Sequence, residues 1–412
     1  MWHPNKSIET LFLPLFSCVL LSAVVAPGAE TGKTSLPPLN PKRIAEIAEH
    51  LPPDSALPIF YTPPFSNRTF WNKIAATYKL DSLYARADRA ASTPPPILTR
   101  DLFEEFRKTG KRPSFEKPFT ERTLRLGLLL FAEGLANDGK RLQAIERELT
   151  TILDEPSWAA PVHTTQRTSW EASRNFVDLA AAARAWDVAM ADYLLGDKLP
   201  PALRVRIRTE VRERVLDPYL ERIRLGDRRD FWWMNGTNNW NAICNGGVLA
   251  AGLLLSGGSS PAASRAECAE LISAFEALTP YYLSGLEDDG FCEEGISYWV
   301  YGYGHYTMAA ELVRLATSGY LDLLAGEKQK TLAIFDVRWQ IVPGVFPLFG
   351  DVFAGTKLPP FLHDFATLRY GGTGGLLGSV EREIPIYHHD LSAHLYATCF
   401  DLSLPRLPTG AT

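Results

Sequence analysis

The sequence predicts an all-α fold, an (α/α) toroid of helical hairpins with a short C-terminal segment that could hold a strand or two. From about residue 70 to residue 370, apolar residues recur at helical spacing. Short turns rich in glycine and proline divide this stretch into pairs of helices. Several helices, such as the one containing "CNGGVLAAG", carry small or apolar residues on more than one side. An inner ring of helices enclosed by an outer ring would bury them in this way.

The predicted helices follow one another along the chain. Residues 120–155 contain two amphipathic helices separated by "NDGK", and residues 172–196 contain a third that ends at a glycine. Residues 200–226 begin with prolines and end at a glycine, as helices commonly do. The remaining helices are predicted in "WNAICNGGVLAAGLLLSGG", "SRAECAELISAFEALTPYYLSGL", "EEGISYWVYGYGHYTMAAELVRLATSG" and "GEKQKTLAIFDVRWQIV".

Four segments are predicted from these patterns. Residues 1–29 are predicted to be a signal peptide, residues 30–69 a proline-rich irregular arm, residues 70–375 the toroid domain, and residues 376–412 a C-terminal tail. The tail loses the helical period, so it could hold a strand or two and could be the start of a β-sandwich domain.

The N-terminus resembles an export signal. Residues 11–26, "LFLPLFSCVLLSAVVA", are uncharged and apolar, and the small residues of "APGAE" follow. The run is short for a membrane span, so we expect a periplasmic or secreted protein without stable membrane insertion after cleavage. An uncleaved anchor and a lipid-modified Cys18 are the alternatives.

Composition excludes some classes of function. The 412 residues are 46% hydrophobic and 22% charged, with a formal net charge of −5, which argues against a nucleic-acid-binding protein. The cysteines after the signal lack zinc-site spacing, so we expect small buried thiols with at most one disulfide; they are Cys244, Cys268, Cys292 and Cys399. No metal and no cofactor are predicted.

An asparagine-rich run, "NGTNNWNAICNGG" at residues 235–247, precedes an apolar helix. Asn238, Asn241 and Asn245 would share one helix face, while Asn239 is the better candidate for the N-cap, leaving its NH2 group available to a ligand. The alternative is that these amides only cap the helix. Capping uses one side chain, however, and a buried stripe of amides needs partners, which a polar ligand would supply.

A second polar stripe lies about 60 residues further on. Glu294, Tyr298, Tyr301 and His305 fall on one face of a predicted helix. A tyrosine beside an acid and an imidazole can transfer protons if its pKa is lowered. The alternative for each residue is an ordinary buried side chain with one hydrogen-bond partner.

Aromatic residues crowd the same two stretches, where flat rings beside amides and a carboxylate suit the faces and hydroxyl edges of sugars. Each ring also has the alternative role of a core residue. The rings are Trp232, Trp233, Trp240, Trp299, Tyr301 and Tyr303.

On these residues the chain resembles the heparinase II/III-like polysaccharide lyases and the related alginate lyases. The resemblance covers most of residues 150–355 and includes "SWAAPVH", "VDLAAAARAWDVAMADYLLG", "NNWNAICNGG", "DDGFCEEGISYWVYG" and "GVFPLFGD". It implies an (α/α) toroid, usually followed by a β-sandwich domain, and cleavage of uronic-acid polysaccharides or oligosaccharides by metal-independent β-elimination.

The resemblance also implies roles for single residues. Asn239, with Asn241 as the next candidate, would stabilise the charge that grows on the uronate carboxylate when the C5 proton leaves. Tyr298 would act as base or acid, and His305 and His163 would be supporting donors. The residues expected to contact substrate are Trp233, Asn238, Trp240, Asn245, Glu294, Tyr301 and His163.

Two departures from the family pattern leave other functions open. Several relatives have histidine directly after the key asparagine, where this chain has Trp240. Relatives also use a catalytic histidine from the sandwich domain, which cannot be matched to His388, His389 or His394 in the tail. The alternatives are therefore an inactive toroid that binds glycans, or a toroidal glycoside hydrolase with paired carboxylates such as Asp289 and Glu294.

Overall fold

A computed structural model of the chain describes residues 35–53, 60–257, 261–350, 352, 356, 358–371 and 395–404. These residues are predominantly helical, which confirms the all-α class, and the β-structure among them is limited to two isolated bridges. The helices are α1 (Pro41–His50), α2 (Arg68–Thr77), α3 (Asp81–Ser92), α4 (Arg100–Thr109), α5 (Pro113–Ala136), α6 (Leu142–Leu153), α7 (Leu179–Leu195), α8 (Pro201–Val211), α9 (Asp217–Leu225), α10 (Asn239–Leu254), α11 (Arg265–Ser284), α12 (Ile296–Ala316), α13 (Glu327–Ala333), α14 (Phe335–Arg338), α15 (Pro360–Tyr370) and α16 (Leu395–Ser403).

Side-chain caps explain where several helices begin. The carboxylate of Asp178 accepts a hydrogen bond from the Ala181 backbone N–H at the start of α7. Ser264 and Glu267 form a reciprocal capping box at the start of α11. Each cap satisfies a backbone donor that has no partner within its helix.

Helices α10 and α12 pack closely and run in the same direction. A Cβ placed on Gly302 of α12 would lie 3.0 Å from the Cβ of Asn239, at the start of α10. Further along both helices, a Cβ on Gly246 would lie 3.2 Å from the Cβ of Ala309. Since residue numbers rise together across the interface, the two N-termini lie at the same end.

Helix α7 has the same direction as α10. The indole N–H of Trp233, just before α10, donates to the carbonyl of Val177, just before α7. Within the helices, a Cβ on Gly247 would lie 2.7 Å from the carbonyl oxygen of Ala182. The N-termini of α7, α10 and α12 therefore meet at one end of the domain.

The helix that follows α10 runs back alongside it. The amide of Asn241 donates to the carbonyl of Leu278 in α11, and a Cβ on Gly252 would meet the side chain of Leu271. Residue numbers fall along α11 as they rise along α10, so these two helices form an antiparallel hairpin, as the sequence predicted.

Two predicted irregular segments contain helices. In the expected arm, α1 begins at the N-cap Asn40, and Arg43 forms an ion pair with Glu276 of α11 at 2.7 Å. In the expected tail, residues 395–403 form α16 rather than a strand, and nearly every side chain of this apolar segment is buried, against α7 and α15. Tyr396 of α16 stacks on Trp186 of α7 with ring centroids 3.9 Å apart.

The four cysteines of the described region are free, buried thiols. None of the helices that the structure describes is long and apolar enough to cross a membrane. Residues 1–29, with Cys18, and His388, His389 and His394 lie outside the described residues.

Candidate functional site

The asparagine run leads directly into α10, which begins one residue earlier than we predicted. Asn238, rather than Asn239, is the N-cap: its backbone is extended and its side-chain oxygen accepts from the Trp240 N–H at 3.2 Å. Asn239 is therefore the first residue of the helix, and its side chain takes no part in capping.

The side chain of Asn239 bonds to Glu294. Its Nδ2 atom donates to the two carboxylate oxygens of Glu294 at 3.0 and 3.2 Å. Asn239 is 3% exposed, and its Oδ1 atom is buried without a hydrogen-bond partner among the residues that the structure describes. The NH2 group that we expected to face a ligand thus faces a carboxylate.

Two glycines let the backbone at Phe349 and Gly350 approach the backbone at Glu294 and Gly295 closely. Gly295, with φ +88°, precedes α12, and a Cβ there would lie 2.5 Å from the carbonyl oxygen of Phe349. Gly350, with φ +60°, lies against the carbonyl of Glu294. Phe349 and Gly350 of the "GVFPLFGD" segment therefore pack on the turn that carries Glu294.

Tyr298 lies at the same end of α12. It is half-buried and sits in the first turn of the helix, four residues before Gly302. Residues four apart share a helix face, and Gly302 approaches Asn239. Tyr298 therefore lies on the face of α12 that packs on α10, at the end where Asn239 bonds to Glu294.

Tyr282 of α11 is a second phenol at this junction, and the sequence analysis missed it. A Cβ on Gly302 would lie 2.7 Å from its Oη atom. The side chain is 2% exposed. Burial, with Cys292 and Glu294 nearby, raises the pKa of Tyr282 well above its ordinary value, so this phenol stays protonated.

His163 lies on the other side of the start of α10. Its ring centroid is 4.6 Å from that of Trp240, edge to face. Its Nδ1 atom lies 2.6 Å from the carboxylate of Asp178, which also accepts from the Ala160 N–H and is fully buried. Because a carboxylate only accepts, Nδ1 carries the proton and Nε2 presents its lone pair.

Three residues expected at the site lie in the core. Asn241 donates to the carbonyls of Met234 and Leu278, and Asn245 accepts from the Tyr219 hydroxyl at 2.7 Å. Trp233 is fully buried. These contacts give the three side chains structural roles, since none of them is open to a ligand.

His305 is also buried, at 1% exposed. Its Nδ1 atom lies 2.7 Å from the carbonyl of Tyr301 and its Nε2 atom 2.6 Å from the hydroxyl of Tyr396. The carbonyl fixes the proton on Nδ1, so Nε2 accepts from Tyr396. This histidine ties α12 to α16 and does not point towards Asn239 through either ring nitrogen. Tyr301 is half-buried, and its ring packs edge to face on the His305 ring.

Trp232 is a surface residue that we did not select. It is 41% exposed, whereas the neighbouring Trp233 is fully buried. Both lie in a 3-10 turn at residues 232–235, and the orientation of that turn decides which indole faces solvent. The ring of Trp232 lies 5.1 Å from that of the half-buried Trp240.

A surface cavity of about 670 Å³ lies beside α9 and contains none of the predicted site residues. It is lined by charges of both signs, among them Arg222, Glu221 and Asp230, so it favours no one class of charged ligand. Within the described ranges, no group of three or more His, Cys, Asp or Glu side chains could hold a metal ion.

No protein-family model matches the chain, and a search of curated proteins finds no significant match.

Proposed function

We propose that this chain is a polysaccharide lyase that cleaves uronic-acid glycans by β-elimination, built on an (α/α) toroid. The observation that carries the proposal is the junction of α10 with α12, where Asn239 bonds to Glu294 and Tyr298 lies in the first turn of α12. The common direction of α7, α10 and α12 supports the toroid, because the inner helices of such a ring all run the same way.

The reaction requires the proton at C5 of a uronate to leave beside a carboxylate that already carries charge. In the proposed mechanism, Tyr298 accepts this proton as its phenolate, and the electron pair of the C5–H bond forms the C4–C5 double bond. The C4–O4 bond breaks, and the leaving oxygen takes the proton back from Tyr298. The amide of Asn239 stabilises the added negative charge on the carboxylate.

Glu294 sets a condition on this mechanism. An amide NH2 group has two hydrogens, and the carboxylate of Glu294 accepts from it in the ligand-free chain. A uronate must bind the second hydrogen or take the place of Glu294. Two carboxylates that share one donor repel each other, so Glu294 opposes binding of the ground-state substrate.

The same contact favours a second candidate, a toroid that binds glycans without turnover. Asn239 donates to Glu294, and His305 is bonded to Tyr396, so neither side chain is directed at a substrate. The aromatic rings and hydroxyl groups that remain at the site suit the binding of sugars. In this case Tyr298→Phe leaves binding unchanged and no product forms.

The test is a panel of uronate polymers incubated with the purified protein, monitored by the ultraviolet absorbance of the unsaturated uronate. We expect the native chain to raise the absorbance on at least one polymer and Tyr298→Phe to abolish the increase. Tyr281→Phe is the matched control, since Tyr281 is 37% exposed on α11. No increase with any polymer rejects the lyase, and reducing ends without absorbance indicate hydrolysis, in which Asp289 and Glu294 would be the paired carboxylates.

A further inference from the structure

Two indole rings lie next to each other at the start of α10, one of them open to solvent. Trp232 is 41% exposed, and its ring centroid lies 5.1 Å from that of Trp240, with 41° between the ring planes. An exposed tryptophan leaves a large apolar face in water, and such faces mark binding surfaces when they cluster.

A short turn holds the Trp232 ring in place. A Cβ on Gly236 would lie 3.4 Å from the Trp232 ring, and the Arg228 guanidinium donates to the Trp232 carbonyl at 2.8 Å. The ring is thus positioned by local backbone and not by the core, so it can be removed without leaving a buried cavity.

His163 packs on the same Trp240 ring. The imidazole packs edge to face on Trp240, with 70° between the planes, and its orientation is fixed by Asp178. The His163 side chain is 17% exposed. Among the described residues no hydrogen-bond partner lies at Nε2, so this atom is placed to accept from a ligand hydroxyl.

We propose that Trp232, Trp240 and His163 form a second sugar subsite. The C–H face of a pyranose ring stacks on the two indoles, and His163 bonds its polar edge. This inference rests on the proposed function for the class of ligand, an acidic oligosaccharide. Trp240 directly follows Asn239 in the helix, so we place the subsite near the Asn239–Glu294 contact and beyond the two sugars that flank the cleaved bond, where a tetrasaccharide reaches it and a disaccharide does not.

The subsite predicts that affinity depends on chain length. Dissociation constants are measured by calorimetry for disaccharides and tetrasaccharides derived from alginate, hyaluronan and heparosan, using Tyr298→Phe to prevent turnover. We expect an added Trp232→Ala change to weaken tetrasaccharide binding about five- to tenfold while the disaccharide constant changes less than about twofold. Trp232→Phe should keep most of the affinity, because a flat ring remains.

Tyr320→Ala is the control, since Tyr320 is 41% exposed and stacks on His50 rather than on any of the three rings. Equal losses for both lengths, or no loss, overturn the subsite. If the native chain forms no product but binds the tetrasaccharide through Trp232, the lyase proposal is rejected and the subsite proposal is supported. Failure to bind any of the oligosaccharides overturns both.

Discussion

The amide nitrogen of Asn239 and the carboxylate of Glu294 join the first turn of α10 to the turn before α12, across 55 residues of sequence, at 3.0 and 3.2 Å. The bond fixes the orientation of the Asn239 amide, since its nitrogen must face the carboxylate. It also places a negative charge where the proposed reaction builds more of it.

Asn239→Ala is expected to lower kcat about 10²–10³-fold on a cleaved polymer, because it removes a donor aimed at the developing charge. Asn67→Ala is the control: this N-cap of α2 accepts from the Phe70 N–H, and its loss should lower the free energy of unfolding by about 1 kcal/mol with little change in kcat. Kinetics and urea denaturation of both variants check this. Similar kcat values for the two variants would contradict the role of Asn239.

Glu294→Gln should lower KM about three- to tenfold, because the variant removes the charge that opposes the uronate. The glutamine keeps an oxygen that can accept from Asn239, so stability should change little. Initial rates over a range of substrate concentrations separate KM from kcat. Loss of kcat at unchanged KM would instead identify Glu294 as an acid or base and favour hydrolysis.

Gly302→Ala tests the close packing of α10 on α12. The added Cβ would lie 2.7 Å from Tyr282 Oη and 3.0 Å from the Asn239 Cβ, so we expect a loss of about 1–3 kcal/mol in the free energy of unfolding. Gly127→Ala in α5 is the control, because nothing lies within 4 Å of the added Cβ and alanine favours a helix. It should raise the free energy of unfolding slightly. Equal stability of the two variants would show that the helices do not meet at Gly302.

Tyr396→Phe should destabilise the protein by about 1–3 kcal/mol, because it leaves Nε2 of the buried His305 without its donor. Turnover by the folded variant should stay within about twofold of the native chain. The two quantities are measured by thermal denaturation and by initial rates. A large loss of turnover at unchanged stability would instead support a catalytic role for His305.

Glu267→Gln should show a pH-dependent effect on stability. The Arg212 guanidinium, bonded to both carboxylate oxygens at 2.9 Å, lowers the pKa of Glu267 to about 2. A carboxyl with a lowered pKa stabilises the fold when ionised, and this contribution is lost as pH falls from the ordinary glutamate range towards 2. We expect the variant to be about 1 kcal/mol less stable at neutral pH, with the difference shrinking below pH ~4. A difference that is constant with pH in denaturant titrations would count against this ion pair.

Most helices could be predicted from the sequence because apolar periodicity and terminal glycines and prolines are local signals. The cap of α10 was misplaced by one residue because Asn238 and Asn239 are both good caps, and only the backbone shows which one is extended. Helix α16 was missed because burial against distant helices, and not its own pattern, stabilises it.

Part of the candidate site could be predicted from the sequence, because local signals mark where the helices that carry it begin. Asn239 lies in the first turn of α10, Tyr298 in the first turn of α12 and Glu294 in the turn before it, and both helix starts have local sequence signals. The exposure of Trp232 and the burial of Trp233 depend on the rotation of one short turn. The hydrogen bond from Tyr396 to His305 joins residues 91 positions apart, and no local sequence pattern predicts it.

The most direct test of the central proposal is mass spectrometry of the fragments that the native chain releases from a uronate oligosaccharide. Elimination predicts that the fragment from the reducing side of the cleaved bond carries an unsaturated uronate at its new non-reducing terminus. This fragment is lighter by one water than the same fragment from hydrolysis, and it is absent when Tyr298 is replaced by phenylalanine. Fragments that carry the full water, or the same light fragment from Tyr298→Phe, would contradict the account.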